Sequence, residues 1–329
     1  MERSIQSVRD HKMLKAHLLA FLTIFFWSTT YISTKILLRA FSPTEIMFFR
    51  FILAYLALLL AKPALRIDGP WRIPYRTPRE ELLFAGAGLC GVTLYFILQN
   101  TSLVYTLASN VGVLVSVAPF FTAVFSHFLL KEKSLHKSFF IGFCLSIIGI
   151  TLISFNGNFI LKLNPLGDIL AVSCAAAWAI YCIFMNKISA LGYHVILCTR
   201  KIFVYGIIFM IPVLPFSGFH WDPARFTYLP NIFHLLFLGL GASALCFVTW
   251  NYAVGILGPV RTSVYIYFGP IITVVTSAIF LRERITSVAI LGAVLIIAGL
   301  CLSEQKTLLR KEKKNEDHRN EAGDPDPEE

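Results

Sequence analysis

Charge is what this chain has little of. Asp, Glu, Lys and Arg make up 15% of its 329 residues, against about 25% in soluble domains. Carboxylates are scarcer still. Nine of the nineteen acids lie from Glu304 onward, so the long apolar body is almost free of them. No Walker-type glycine loop occurs, which excludes an ATP-driven pump on this chain alone. The eight His are scattered and form no His-x-x-x-His cluster, and no Asp-rich cluster occurs either. No metal and no resident cofactor is therefore expected. No Cys-x-x-Cys pair is present. Cys90, Cys144, Cys174, Cys182, Cys198, Cys246 and Cys301 all lie inside apolar runs and read as small buried hydrophobes.

What is present is apolar mass. Hydrophobic residues make up 56% and mean hydropathy is +0.69. A water-soluble globule of 37.0 kDa has no interior large enough to hide that surface. Disorder is excluded by the same numbers. A membrane β-barrel is excluded because its strands alternate and never run apolar for about 20 residues. An all-α integral membrane protein remains. Ten runs are long enough to cross a hydrocarbon core of about 30 Å. They cover 17–38, 44–61, 81–99, 107–130, 136–155, 166–185, 193–215, 231–252, 260–281 and 287–303.

The formal charge of +10 is a topology signal. The basic residues gather in short loops and tails, so no nucleic-acid partner is implied and the lipid bilayer is the expected surrounding. With a cytoplasmic N-terminus, 20 basic residues fall on the inside and 5 outside. That places both termini in the cytoplasm and suits a plasma membrane, the inner membrane in a bacterium. Residues 1–16 form a cytoplasmic segment that is not a cleaved leader. Residues 304–329 read as a disordered cytoplasmic tail.

Self-comparison shows a duplication. Pro119 and Pro270 stand 151 apart, as do Glu132 and Glu283, and Trp27 and Trp178. Arg50 and Arg200 are 150 apart, and Gly142 and Gly149 match Gly292 and Gly299 at the same offset. Leu-Leu-Phe-Ala-Gly-Ala-Gly (82–88) matches Leu-Leu-Phe-Leu-Gly-Leu-Gly (235–241). Two repeats, 17–155 and 166–303, each carry five spans. Five is odd, so the second copy enters the membrane from the opposite side. Ten helices as two inverted repeats is an architecture of secondary transporters, with the substrate site at the midplane between copies.

The matched blocks also resemble the drug/metabolite transporter superfamily, in its EamA-type branch. The carrying residues are Trp27 with Lys35, and Ser-Pro-Thr (42–44) leading to Arg50. In the second half they are Leu-Gly-Asp-Ile-Leu-Ala (166–171) with Trp178, Trp-Asn-Tyr-Ala (250–253), Leu-Gly-Pro (257–259) and Leu-Arg-Glu-Arg (281–284). The resemblance implies ten helices and export or exchange of small metabolites without ATP hydrolysis. The first half departs from it, with Gln99 and Asn100 where the second has Trp250 and Asn251.

Candidate cavity residues are polar or aromatic: Trp27, Tyr31, Arg50, Asn110, Trp178, Tyr181, Arg200, Asn251 and Tyr265. Tyr and Trp offer an apolar face with one polar tip, which suits amphiphilic metabolites. Trp250 and Tyr252 are open to a second reading as headgroup-belt residues. Arg50 and Arg200 lie about two turns inside their spans, where a cation costs on the order of 2–3 kcal/mol unless it snorkels or finds a partner. Lys35 and Lys201 are expected to snorkel. Pro119 and Pro270 should kink their helices and act as gating points. Glu132 and Glu283 close those helices, as end anchors or as a salt-bridge gate. The absence of a mid-span carboxylate argues against an acidic ion-coupling relay. The expected activity is secondary transport of a small-molecule substrate by alternating access, with a homodimer allowed. The alternative is an integral-membrane enzyme acting on a lipid or isoprenoid substrate.

Overall fold

A computed structural model describes residues 2–64, 73–106, 108–131, 135–155, 164–217, 219, 222–272, 275, 287–288, 290–299 and 301–302, without the side chains of 2–10, 62–64, 108–110, 113 and 153–155. Every regular element among them is helical. In chain order they are α1 (Glu2–Leu37), α2 (Pro43–Ala64), α3 (Pro78–Tyr105), α4 (Ala108–Val115), α5 (Ala118–Leu129), α6 (Lys137–Phe155), α7 (Pro165–Ser189) and α8 (Val195–Met210), then α9 (Leu229–Leu257), α10 (Pro259–Ser263) and α11 (Ile290–Gly299). Six helices are long and apolar enough to cross a membrane: His11–Leu37, Pro43–Ala61, Pro78–Tyr105, Pro165–Ser189, Val195–Ser217 and Leu229–Leu257. Shorter apolar helices cover Ala118–Leu129, Lys137–Leu152 and Ile290–Gly299.

Several helices start on a proline behind a polar cap. Pro lacks the amide that a first turn leaves unbonded anyway, and its fixed φ suits that position. Ser42 and Glu45 form a reciprocal capping box at α2: the Ser42 amide donates to Glu45 Oε2 at 2.7 Å and the Glu45 amide to Ser42 Oγ at 3.2 Å. Thr77 caps α3 through the Glu80 amide, and Asn164 caps α7 through the Gly167 amide. These caps extend α3 and α7 upstream of the apolar runs that reveal them.

The run expected as one span over 107–130 is two helices. α4 ends at Val115, a turn covers Ser116 and Val117, and Pro119 sits in the first turn of α5. Around Pro270 there is no such break: a 3-10 stretch, Val264–Tyr267, runs between the helical residues 259–263 and 268–272, the last of which contain Pro270. Pro119 therefore opens a new helix, which corrects the expectation of a kink inside a continuous helix there, while Pro270 lies within a helical run tightened to 3-10 just before it. The Cys expectation is also corrected in part. Cys174, Cys182, Cys198 and Cys246 are buried, Cys90 is half-buried, and Cys144 and Cys301 are exposed on the flank of the bundle.

Glycine permits the closest crossings. A Cβ placed on Gly88 of α3 would lie 2.7 Å from the Gly206 nitrogen of α8, and one on Gly239 of α9 would lie 2.7 Å from Leu53 of α2. Between α6 and α11 the contacts are reciprocal. A Cβ on Gly149 would come within 2.4 Å of the Gly292 oxygen, and one on Gly299 within 2.5 Å of the Gly142 oxygen. The obstructing atoms are backbone, so the helices themselves must part. Without water between helices, such close packing is a main source of association in a bilayer. Gly149→Ala and Gly299→Ala are each expected to destabilise the solubilised protein by about 1–3 kcal/mol, read as a lower thermal midpoint. Gly112→Ala, whose Cβ would meet nothing within 4 Å, serves as the matched control and should not lower it.

Candidate functional site

Five helices deliver rings to one layer inside the bundle. Trp27 of α1 stands at its centre, with ring centroids 5.1 Å from Trp178 of α7 and 5.2 Å from Trp250 of α9. Trp178 packs in turn on Tyr181 at 4.9 Å and on Tyr95 of α3 at 5.0 Å. Phe247 joins the layer to Phe51 of α2. Most pairs are edge-on or tilted, as aromatic quadrupoles prefer. The Trp27 indole donates to the Ala242 oxygen at 2.8 Å. That oxygen lies in a π-helical stretch of α9, Phe237–Leu245, and α3 carries its own π stretch at Leu89–Leu94. Insertions of this kind displace backbone carbonyls from the regular ladder, which makes them available to side chains. Trp250 is fully buried, which removes the headgroup-belt reading for it.

A partly open cavity of about 420 Å³ lies beside this layer, at the C-terminal end of α9. It is bounded by Thr249, Asn251 and Tyr252 of α9, Lys15 of α1, and Ser189, His194 and Cys198 around the turn from α7 to α8. Asn251 is held from two sides. The Tyr181 hydroxyl donates to its Oδ1 at 2.5 Å and its Nδ2 donates to Thr199 Oγ1 at 2.9 Å. Thr23 and Thr249 hydroxyls meet at 2.6 Å. The Lys15 ammonium stands 5.6 Å from the Tyr252 ring.

The expected cavity residues thus separate. Asn251 lines the cavity, while Trp27, Trp178 and Tyr181 pack in the aromatic layer and do not line it. Tyr31 is hydrogen-bonded to Gln99. Tyr265 meets His17 Nδ1 at 2.7 Å and ties α1 to the Val264–Tyr267 segment. The Asn110 side chain, Glu132, Glu283 and the tail from residue 304 lie outside the described residues. Sequence reasoning missed Lys15, Ser189 and His194, which sit at span ends where polar residues are ordinary.

The buried charges are placed more definitely. Arg50 is 2% exposed; its Nε donates to Ser243 Oγ at 2.8 Å, and its guanidinium lies 4.2 Å from the centroid of Phe96. Arg200 is also buried, beside the Thr199–Asn251 contact. Lys201 does not snorkel. It pairs with Glu81 of α3 at 2.5 Å, and the Tyr205 hydroxyl donates to the other oxygen of the same carboxylate. The apolar flank leaves the ammonium a nearer partner than water. Lys35 is exposed and reaches the Leu103 oxygen at 3.4 Å. At the opposite end of α9 from the cavity, Arg225 grips Glu45 with two nitrogens, at 2.9 and 3.2 Å, and donates to the Ala40 oxygen at 3.0 Å.

A helical membrane bundle with a half-open internal cavity and a packed aromatic layer inside it is the form of a solute carrier. The EamA-like transporter family matches residues 14–155 and again 165–304, and the chain belongs to that family. Among its relatives is an uncharacterized transporter of Archaeoglobus fulgidus, 30% identical over 89% of this chain and 98% of the relative. A probable terminal-alkyne amino-acid exporter of Streptantibioticus cattleyicolor is 26% identical over 91% of this chain and 97% of the relative. One solved crystal structure covers 88% of this chain and 95% of its own with a TM-score of 0.67 at 18% identity, a likeness of fold. The protein is a multi-pass membrane protein of the drug/metabolite transporter superfamily.

Proposed function

We propose that the protein is a secondary carrier that exports or exchanges a small organic metabolite by alternating access of two inverted five-helix repeats. The observation that carries this reading is the asymmetry along α9. One end holds the half-open cavity, joined to the aromatic layer through the Tyr181–Asn251 hydrogen bond; the other end is clamped by Glu45 and Arg225. One open side and one closed side is what alternating access requires of a carrier at rest.

Three contacts support the inverted duplication. Trp27 and Trp178, at equivalent positions, meet across the centre. Gly149 faces Gly292 while Gly299 faces Gly142, the swapped pairing that a two-fold axis produces. Each of α3 and α9 carries a π stretch at its matched block, just after it in α3 and from within it in α9. In this reading the helix break before Pro119 and the 3-10 stretch before Pro270 are hinges, and Glu132 and Glu283 anchor or gate the far ends of those helices. Arg50 and Arg200 are the cations that a substrate meets on its way. The excess of basic residues on the N-terminal side puts Lys15 and the turn from α7 to α8 in the cytoplasm, so the cavity opens inward at the plasma membrane.

Purified protein in proteoliposomes is expected to exchange at least one solute from a metabolite pool. Protein that moves none but modifies a lipid would establish the enzyme alternative. Ser189→Cys in a background without native cysteines provides a reporter, because Ser189 lines the cavity and is partly exposed. A membrane-impermeant maleimide should label it from the N-terminal face and at least tenfold more slowly from the other. Equal labelling from both faces would remove the one-sided cavity. An unchanged transport rate in Pro119→Ala/Pro270→Ala would remove the hinge role.

A further inference from the structure

We infer that the path selects solutes carrying a carboxylate and turns organic cations away, with Lys15 at its mouth and Arg50 as the deep anion station. This rests on the carrier reading above.

The lining of the cavity gives the first reason. Its hydrogen-bonding groups are neutral side chains such as Ser189, Thr249, Asn251 and Tyr252, and its charged or titratable nitrogen groups are Lys15 and His194. Among the described residues no Asp or Glu lines it. An organic cation entering would give up hydration for a wall with no counter-charge, and would first pass an ammonium. A carboxylate meets attraction at the mouth and donors along the wall. The volume of about 420 Å³ falls near the lower end of ligand pockets, sufficient for one ring or short chain with its charged head.

Arg50 gives the second. A guanidinium at this depth is costly without a counter-ion. Among the described residues no Asp or Glu is within ion-pair reach of it. Its holders are of two kinds, one hydroxyl, Ser243, and the ring faces of Phe96 and Phe51. Both are weak partners that a carboxylate can replace with a two-pronged, charge-assisted pair. The contrast inside the same bundle is informative, because the Arg225 guanidinium has been given a carboxylate for closure. Position fits as well. Ser243 precedes Asn251 by eight residues on α9, about 12 Å at 1.5 Å per residue. Phe96 packs against Phe247 with ring centroids 6.2 Å apart. Arg50 therefore lies beneath the aromatic layer, where a solute arrives only after that layer parts. Ser243 and Phe96 act as positioning residues that hold the guanidinium until then.

Three probes with one ring and different charge test this: 3-phenylpropanoate, L-phenylalanine and 2-phenylethylammonium, each radiolabelled, in equilibrium binding to the purified full-length protein. The two carboxylates should bind at least tenfold tighter than the ammonium. Arg50→Gln should cost both carboxylates at least tenfold, and Arg50→Lys should recover part of it. Lys15→Gln, at an exposed site that leaves folding intact, should weaken carboxylate binding two- to threefold at low salt, and less as salt screens the mouth. Ammonium binding as tight as carboxylate binding overturns the inference, and so does failure of all three probes. Unchanged carboxylate affinity in a monodisperse Arg50→Gln protein overturns it too. Carboxylate binding by these rules with no solute crossing in proteoliposomes would defeat the carrier reading and leave the charge selection standing.

Discussion

Arg225→Ala is expected to destabilise the protein and to empty the cavity-open state. Glu45 is 1% exposed and its two oxygens face the Arg225 guanidinium at 2.9 and 3.2 Å. Removing one partner of a buried pair leaves the other charge uncompensated, which costs roughly 3–5 kcal/mol. The Arg225 side chain keeps 18% exposure, so the lower end, about 3 kcal/mol, applies here. In the proposed alternating-access cycle the loss falls on one conformation only, because the clamp joins the chain before α9 to the start of α2 and would release when that end opens. Each 1.4 kcal/mol is a tenfold change in population, so the labelling of Ser189→Cys from the N-terminal face should fall more than tenfold. Glu45→Gln alone should be milder, since the amide can still accept from the Ser42 amide in the capping box. Adding it to Arg225→Ala should restore part of the midpoint by removing the orphaned charge. Additive losses in the double variant would show that the pair does not act as a clamp.

That clamp shows what a sequence can and cannot disclose about such a bundle. The helices were legible because a bilayer imposes a length of apolar chain, and α2 or α9 can be drawn from hydropathy to within a few residues. Continuity was not legible. Hydropathy is the same on both sides of Ser116 and Val117, and the break follows from Pro119 taking a first-turn position in a new helix. The partners of the charges were hidden for a different reason. Lys201 and Glu81 are 120 residues apart, and Arg225 and Glu45 are 180 apart. No local spacing rule reaches across those distances. The Ser42-x-x-Glu45 and Thr77-Pro78 signatures were readable as caps and would have moved α3 to its true start. The site divides in the same way. Trp27 and Trp178 could be brought together from the duplication alone. Lys15, Ser189 and His194 could not, because the end of a span is where a Lys, a Ser or a His is least informative.

Trp250→Ala carries the other large expected effect, and it separates packing from passage. The ring is fully buried between Trp27 and Trp178. Truncating a buried Trp costs about 3–5 kcal/mol in a water-soluble core, part of it transfer from water and part the void left behind. Between membrane helices the transfer part is smaller, because lipid is as apolar as the protein interior, and the lost packing contacts dominate. The expected loss is therefore near the lower figure, about 3 kcal/mol, seen as a lower midpoint of thermal unfolding. The functional result should differ in kind from that of Arg225→Ala. Thr249 and Asn251 line the cavity, whereas the Trp250 ring between them turns to the other side of α9, onto Trp27 and Trp178, so its removal leaves a void in the aromatic layer itself. A carrier whose barrier has been thinned in both of its states leaks. Proteoliposomes with Trp250→Ala should lose preloaded solute without a counter-substrate, several-fold faster than the parent. Trp250→Phe, which keeps a ring in the layer, should hold it. A Trp250→Ala protein that unfolds earlier yet stays tight would assign this ring to packing and leave the barrier to Trp27, Trp178 and Phe247.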